Sequence, residues 1–406
     1  MRSIHVVLAV WLAAPLFGQI LTVNPNVVAP GASTTVNLVN TTTSNLSLFI
    51  SGPPRVRIFR DDSELVYSFN EVLLTDSFIA TTLSPNQMLP VLNLNTATTT
   101  LLPMADGHYF AEYQSYPFGL PVRVVGSFTV GTPPGPQPTF LARFGKGYNP
   151  HASSLTAPQL RLSNGTATGA ALIGLTWSLQ NVGSPTILAS GTLGNTPVGA
   201  SASEDVPLPS AAFVTGTTMN LVVSWIDPTA GPVTRTLQVT GPEVQNVLTA
   251  DMYFPYGRTI PLGGILPIVV KSRSNPVVGF VPIPLFSNEP QFPGNSDFAL
   301  ALSFSPGAIH LVAGGASLPL ALDGLLQSTV AGLLQPWLPG SPGTLSFNNA
   351  FATGLPFFGP SGYAGVVHPG PAVSGITVCC AAVTASAGFP AASFWQTSML
   401  RTITFQ

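Results

Sequence analysis

The chain has 406 residues but only 13 basic and 15 acidic ones, for a net charge of −2, where an average soluble sequence would carry roughly a hundred charges. With 45% hydrophobic residues and a positive mean hydropathy, the composition excludes disorder of the polar, highly charged kind. It also lacks the basic clusters that attract nucleic acid or anionic lipid.

Met1 and Arg2 precede an apolar run from Ile4 to Phe17 that ends at Gly18. This pattern predicts a secretory signal peptide over 1–18, cut before Gln19, and hence a secreted protein, extracellular or at the cell surface, with the periplasm as the other export compartment. No later segment reads as a membrane span. The most apolar one, 308–326, is interrupted by His310, Gly314, Gly315, Pro319 and Asp323, all costly in lipid.

Breaks in pattern divide the remainder into three pieces, 19–132, 139–246 and 247–406. The first break is the Pro-rich stretch 131–138, whose composition predicts an extended linker that separates the first two pieces. The second follows Gly241-Pro242, and the third piece is expected to pack on the second. Within each piece, short β-branched and apolar runs alternate with Gly, Pro, Asn and Ser, and helical periodicity is scarce. The expected fold class is all-β: tandem antiparallel β-sandwich domains of immunoglobulin-like type.

In the first piece, Ser33–Val39 alternates as a half-buried strand does. Arg55–Arg60 and Leu65–Phe69 form a predicted hairpin with Asp61, Asp62 and Glu64 at its turn. Further on, Asp106-Gly107-His108-Tyr109 carries the acidic-Gly-x-Tyr pattern found before a late strand. On these residues the piece resembles immunoglobulin-like and fibronectin-like sandwiches, and the resemblance implies that Tyr109 is a tyrosine corner, with its ring on the core and its hydroxyl on backbone. Ala111 stands where an antibody domain has cysteine, which implies a disulfide-free relative. The second piece repeats the plan with Leu172–Leu179, Ile187–Leu193, Met219–Ile226 and Val233–Val239, and Trp177 falls at the place of the core tryptophan.

The third piece contains strand-like runs at 298–304, 317–323, 344–347, 376–383 and 400–405, and helical spacing within 324–334. Its Leu-Pro-Leu-x-Leu-Asp stretch (318–323) and Pro-x-x-Ser-Gly (371–375) before an apolar strand resemble the C-terminal β domain of uncharacterised exported proteins from planctomycete-type bacteria. That resemblance implies export and a β-sandwich. Cys379 and Cys380, the only cysteines, are adjacent on a strand, so one is expected to face the core and the other outward, both reduced.

Chemistry-bearing residues are few. There is no G-x-S-x-G elbow, no H-E-x-x-H and no phosphate loop. His108, His151, His310 and His368 are scattered, and no cofactor is implied. The densest acidic group, Asp61, Asp62 and Glu64, reads mainly as a solvated turn with local salt bridges and is a weak candidate for a metal such as calcium; Glu204 and Asp205 read as a loop pair. Tyr253, Phe254 and Tyr256, with Trp337 and Trp395 elsewhere, are candidates for stacking on a glycan, against a core or interface role. Asn40, Asn45 and Asn164 match the glycosylation pattern and otherwise read as turn residues. The function expected is a non-catalytic structural or adhesive protein of the cell envelope or extracellular space, not an enzyme. Its expected partners are a second copy or envelope and matrix components, because scarce charge leaves strand edges open to pairing. The alternatives are an extracellular polysaccharide-binding protein and, behind it, a secreted hydrolase.

Overall fold

The structure is a computed structural model that describes residues 18–51, 55–69, 78–97, 104–115, 122–133, 135–146, 158–213, 218–240, 249–254, 256–272, 295–310, 317–346, 361–386, 396–398 and 400–406. The expected signal peptide, apart from Gly18, lies outside the described residues, as do His151 and Trp395. The described chain is built almost wholly of antiparallel sheets, as the all-β reading expects. No helix among the described residues is long and apolar enough to cross a membrane.

The first ten strands are β1 (Gln19–Asn24), β2 (Val27–Val28), β3 (Ser33–Asn40), β4 (Leu46–Ser51), β5 (Arg55–Arg60), β6 (Leu65–Phe69), β7 (Phe78–Leu83), β8 (Met88–Asn95), β9 (Gly107–Ser115) and β10 (Val122–Val130). A three-stranded sheet, β1-β3-β8, faces a five-stranded one, β2-β10-β9-β5-β6. Every second residue of β3 is buried, so Val36 and Leu38 meet Ile58, Tyr109 and Phe128 in one core. Tyr109 is wholly buried, stacks on Phe128 at 5.5 Å and donates its hydroxyl to the Ala105 carbonyl at 2.7 Å.

The next eight strands are β11 (Phe140–Lys146), β12 (Pro158–Asn164), β13 (Ala170–Asn181), β14 (Ile187–Thr192), β15 (Thr196–Val198), β16 (Ser203–Pro207), β17 (Thr218–Asp227) and β18 (Gly231–Thr240). Their sheets, β11-β12-β16 and β14-β13-β17-β18 with β15 also paired to β13, repeat the order of the first pair and enclose a second core with Trp177, Leu221 and Val223. Trp177 needs a bare neighbour, because a Cβ on Gly191 would lie 2.6 Å from its indole.

The last eleven strands are β19 (Thr249–Tyr253), β20 (Thr259–Ile260), β21 (Ile265–Ser272), β22 (Asn295–Ser303), β23 (Pro306–His310), β24 (Ser317–Leu320), β25 (Gly343–Ser346), β26 (Ser361–Val367), β27 (Thr377–Ser386), β28 (Gln396–Ser398) and β29 (Arg401–Phe405). Nine of them hydrogen-bond as one sheet, β20-β29-β27-β22-β25-β26-β21-β19-β28. Because β28 pairs with both β19 and β27, this sheet closes on itself around a third core. The C-terminal sandwich expected from sequence is therefore rolled into one continuous sheet. The helix Gly324–Val330 falls within the predicted 324–334 segment and starts at Asp323, whose carboxylate accepts from Leu326 N at 2.9 Å.

Cys380 faces this core. Cys379 takes the opposite face, but the outward thiol expected of the pair does not reach solvent: Cys379 is 4% exposed and packs with Leu318 and Leu320 of the β23–β24 hairpin, Leu326 of the helix and Val182. A second layer thus covers the outer face of β27. Val182 belongs to the β13–β14 turn, so the second and third regions share this cluster.

The Pro-rich stretch does not hold the first two regions apart. Phe59, Phe110 and Val125 of the first pack against Leu141 of the second. Val125 N donates to the Ser201 carbonyl at 2.8 Å and Ser127 N to that of Gly165 at 2.9 Å, and any Cβ on Gly165 would meet Phe110 and Ser127 at 2.8 Å. The end of the stretch is itself fixed: the buried Asp227 carboxylate accepts from Thr139 N (2.9 Å) and Phe140 N (3.1 Å). Local composition favours extension, but these tertiary bonds fold the segment back.

Candidate functional site

The acidic turn and the aromatic segment, far apart in sequence, meet where all three regions touch. The β5–β6 turn closes with Arg60 N bonded to the Glu64 carbonyl and Ser63 N to that of Arg60, both at 2.9 Å. Ser63 takes φ +73°, the left-handed conformation that closes the turn. Ser63 Oγ also donates to the Ala142 carbonyl of the second region, tying the turn across the boundary.

Each carboxylate faces arginine. Asp62 pairs with Arg60 of its own hairpin. Asp61 accepts from Arg235 Nη2 at 2.9 Å, and Arg235 Nε donates to the Asp61 carbonyl at 3.0 Å. Glu64, 5% exposed, has its Oε1 3.6 Å from both Arg258 Nε and Arg401 Nη1. Burial pushes the Asp61 pKa up, against the pull of Arg235, and pushes that of Arg258 down, against Glu64.

Four guanidinium groups from all three regions thus surround three carboxylates. Asp61, Asp62 and Glu64, the weak metal candidates from sequence, are each engaged by arginine. Among the described residues no three His, Cys, Asp or Glu side chains are grouped to hold a metal. The local pair with Arg60 was legible in the sequence; Arg235, Arg258 and Arg401 were not.

The aromatic segment lies against the same junction. Phe254 is fully buried in the third core, where burial of its apolar ring stabilises the fold, and so it cannot stack on a sugar. Tyr253 and Tyr256 are half-buried. Gly257, at φ +93°, brings the backbone so near Arg60 that a Cβ would sit 3.3 Å from the guanidinium.

A second charged pair lies between the first two regions. Arg143 bonds Glu112 and lies with its guanidinium carbon 4.0 Å from the centre of the Phe59 ring. Burial alone would raise the pKa of Glu112, but Arg143, with Arg57, Arg123 and Arg161, holds it below the usual range. Burial lowers Arg143 to about 10 despite Glu112, so both partners are charged at neutral pH.

His108 lies near the same boundary, with Nδ1 3.2 Å from the Thr129 hydroxyl and its ring edge-on to Phe110 at 5.0 Å. Burial pushes its pKa down to about 4, so at neutral pH it is uncharged. His368 is buried on Phe405, with ring centres 5.3 Å apart. Glu204 and Asp205 lie on β16, where Asp205 is held by Arg161 at 2.6 Å. Chemically, this arrangement joins regions of the chain by charge and apolar contact and leaves its acids neutralised by arginine.

No family model matches the chain, and no curated protein matches it. Among solved structures, it aligns over 96% of its length with 97% of a chain from a 1.5-MDa bacterial ice-binding adhesin studied for host cell surface retention, at 12% identity and a TM-score of 0.18. It aligns over 95% with 74% of a Ca2+-stabilised adhesin with which an Antarctic bacterium binds ice, at 13% identity and a TM-score of 0.19. It aligns over 94% with 24% of E. coli alpha-2-macroglobulin, at 11% identity and a TM-score of 0.20. Scores this low carry no argument about this chain, whose function is argued from its own residues.

Proposed function

We propose that the chain is a non-catalytic, extracellular adhesive or structural protein, exported by the 1–18 segment and acting through three β units at 19–132, 139–246 and 247–406. The observation that carries this reading is the junction: Asp61, Asp62 and Glu64 are committed to arginines of all three units, so the densest acidic group serves cohesion of the body. The scarcity of charge elsewhere supports it, since a surface of Thr, Ser, Asn and Gly repels neighbouring surfaces poorly. The resemblance of the third piece to exported domains of planctomycete-type bacteria supports export.

Fractionation of the native organism with an antibody to the mature chain tests this reading. Retention with the envelope through a salt wash is the expected result. Quantitative release into the medium, with no binding of purified protein to isolated envelopes, overturns it.

A further inference from the structure

Natural sheets guard their outer strands with charge, proline, bulges or cover, and three of the outer strands in the second region are guarded by charge, proline or cover. Edge strand β11 carries Arg143 and Lys146, and β16 carries Glu204, Asp205 and Pro207. Edge strand β18 carries Arg235 and is covered by the third region, where Gln238 exchanges bonds with Thr402 at 2.8 and 3.0 Å.

Among the described residues the remaining outer strand of the larger sheet, β14, carries no charge, proline or cover, and its one irregularity is the β-bulge at Leu188. Ile187, Leu188, Ser190 and Thr192 are exposed, with Ile187 at 57% and Leu188 at 40%. No Asp, Glu, Lys, Arg or His occurs between Arg161 and Glu204, so nothing charged on β13 or β14 opposes the approach of an identical surface.

The backbone direction is fixed as well. Leu193 N donates to the Leu175 carbonyl at 2.7 Å, and the pairs Trp177–Gly191 and Leu179–Ala189 continue that register. In an antiparallel ladder alternate residues point their polar groups to opposite sides. Gly191 and Ala189 therefore bond β13, while Ser190 and Thr192 direct their N–H and C=O groups away from the sheet.

We infer that β14 is the edge through which two copies of this chain pair, antiparallel about a two-fold axis at Ser190. Such pairing sets Ser190 against Ser190 of the second copy, within the regular stretch 189–193 and beyond the β-bulge at Leu188, and joins two five-stranded sheets into one of ten. The side chains at the axis are small, so the strands can close to ladder distance, and the closed two-fold contact limits growth to a dimer. The inference names a partner for the adhesive protein proposed above, but solution pairing and envelope retention are separate measurements that can fail separately.

Sedimentation velocity of the mature chain over a wide concentration range gives the first test, with a monomer–dimer equilibrium expected. Ser190→Lys and Leu188→Lys, both at exposed positions, are each expected to weaken dimerisation at least about tenfold while leaving the thermal melt unchanged. Ser190→Cys is expected to give a disulfide-linked dimer on mild oxidation, since hydrogen-bonded partners across such an axis sit about 5.5 Å apart at Cα; Thr176→Cys, one strand inward, is expected to give none. A monomer at all concentrations overturns the inference. So does a dimer that ignores both lysines, or one in which Cys at 190 fails to cross-link.

Discussion

Asn40 and Asn164 end the middle strands of two successive three-stranded sheets and hold the turns that follow with the same bonds. The Asn40 side-chain amide donates to the Ser44 and Leu83 carbonyls, both at 2.9 Å, and its oxygen accepts from N and Oγ1 of Thr42 at 2.9 and 2.7 Å. Asn164 donates to Thr168 and Gly199 at 2.8 and 2.9 Å and accepts from N and Oγ1 of Thr166 at 2.9 and 2.8 Å. Both asparagines are fully buried, so the Asn-x-Thr pattern here serves a repeated structural device.

Asn164→Asp is expected to cost on the order of 3 kcal/mol, because it puts a charged acceptor against backbone carbonyls and removes two donors. Asn40→Asp is expected to cost a similar amount, and the two effects to add, since the sites share no partner. Urea unfolding of the two variants and their combination checks this. A neutral outcome at either site would deny that the turn depends on the amide.

Glu64→Gln leaves Arg258 and Arg401 facing each other across a buried space. Removing one partner of such a group costs about 3 kcal/mol, and the expected readout is a lower melting temperature with earlier protease cleavage near the junction. Asp61→Asn is expected to cost no more than about 1 kcal/mol, because the Asp61 and Arg235 side chains are 31% and 25% exposed. Equal losses from the two variants would contradict this ordering.

His108 makes stability depend on pH. Its pKa is pushed to about 4 by burial, against the Pro138 carbonyl and Asp227, from an ordinary 6.5. As pH falls below 6.5 the unfolded chain takes up this proton and the folded chain does not, so a contribution fully present above 6.5 is lost progressively toward pH 4. The loss amounts to about 2 kcal/mol by pH 5. Denaturant titrations at pH 7 and pH 5 are expected to show it in the wild type and a correspondingly flatter profile in His108→Phe.

Both cysteines are expected to resist alkylation in the native protein. Burial pushes Cys379 up to about 11 and Cys380 to about 12, so at pH 8 the reactive thiolate is scarce as well as covered. Iodoacetamide labelling that is slow in buffer and fast in denaturant would agree. Rapid native labelling of Cys379 would mean that the β23–β24 hairpin and the helix do not stay seated on β27.

The strands were legible because a half-buried strand writes a period of two into its sequence, as in Ser33–Asn40 and Arg55–Arg60. The helix over Gly324–Val330 was legible from its leucine spacing after Asp323. The junction was not, because Asp61 meets Arg235 across 174 positions of sequence, and composition around either residue says nothing about that meeting. The Pro-rich stretch misled for the same reason: its local preference is extended, and the carboxylate that docks its end, Asp227, lies 88 positions away. The covering of Cys379 was not legible, because alternation shows that one of two adjacent cysteines faces away from the core but not which distant segments lie over it.

The short strand β28 also sets the order in which the last region can form. Thr249 pairs with Thr397 and Val383 with Thr397, so the first strand of the rolled sheet finds its second neighbour only when residues near 397 arrive. Until then β19 and β27 present open edges, and the loop that must close between 249 and 397 is among the longest in the chain, which makes seam formation a slow, late event. During synthesis, this region is therefore the one whose strand edges stay open longest.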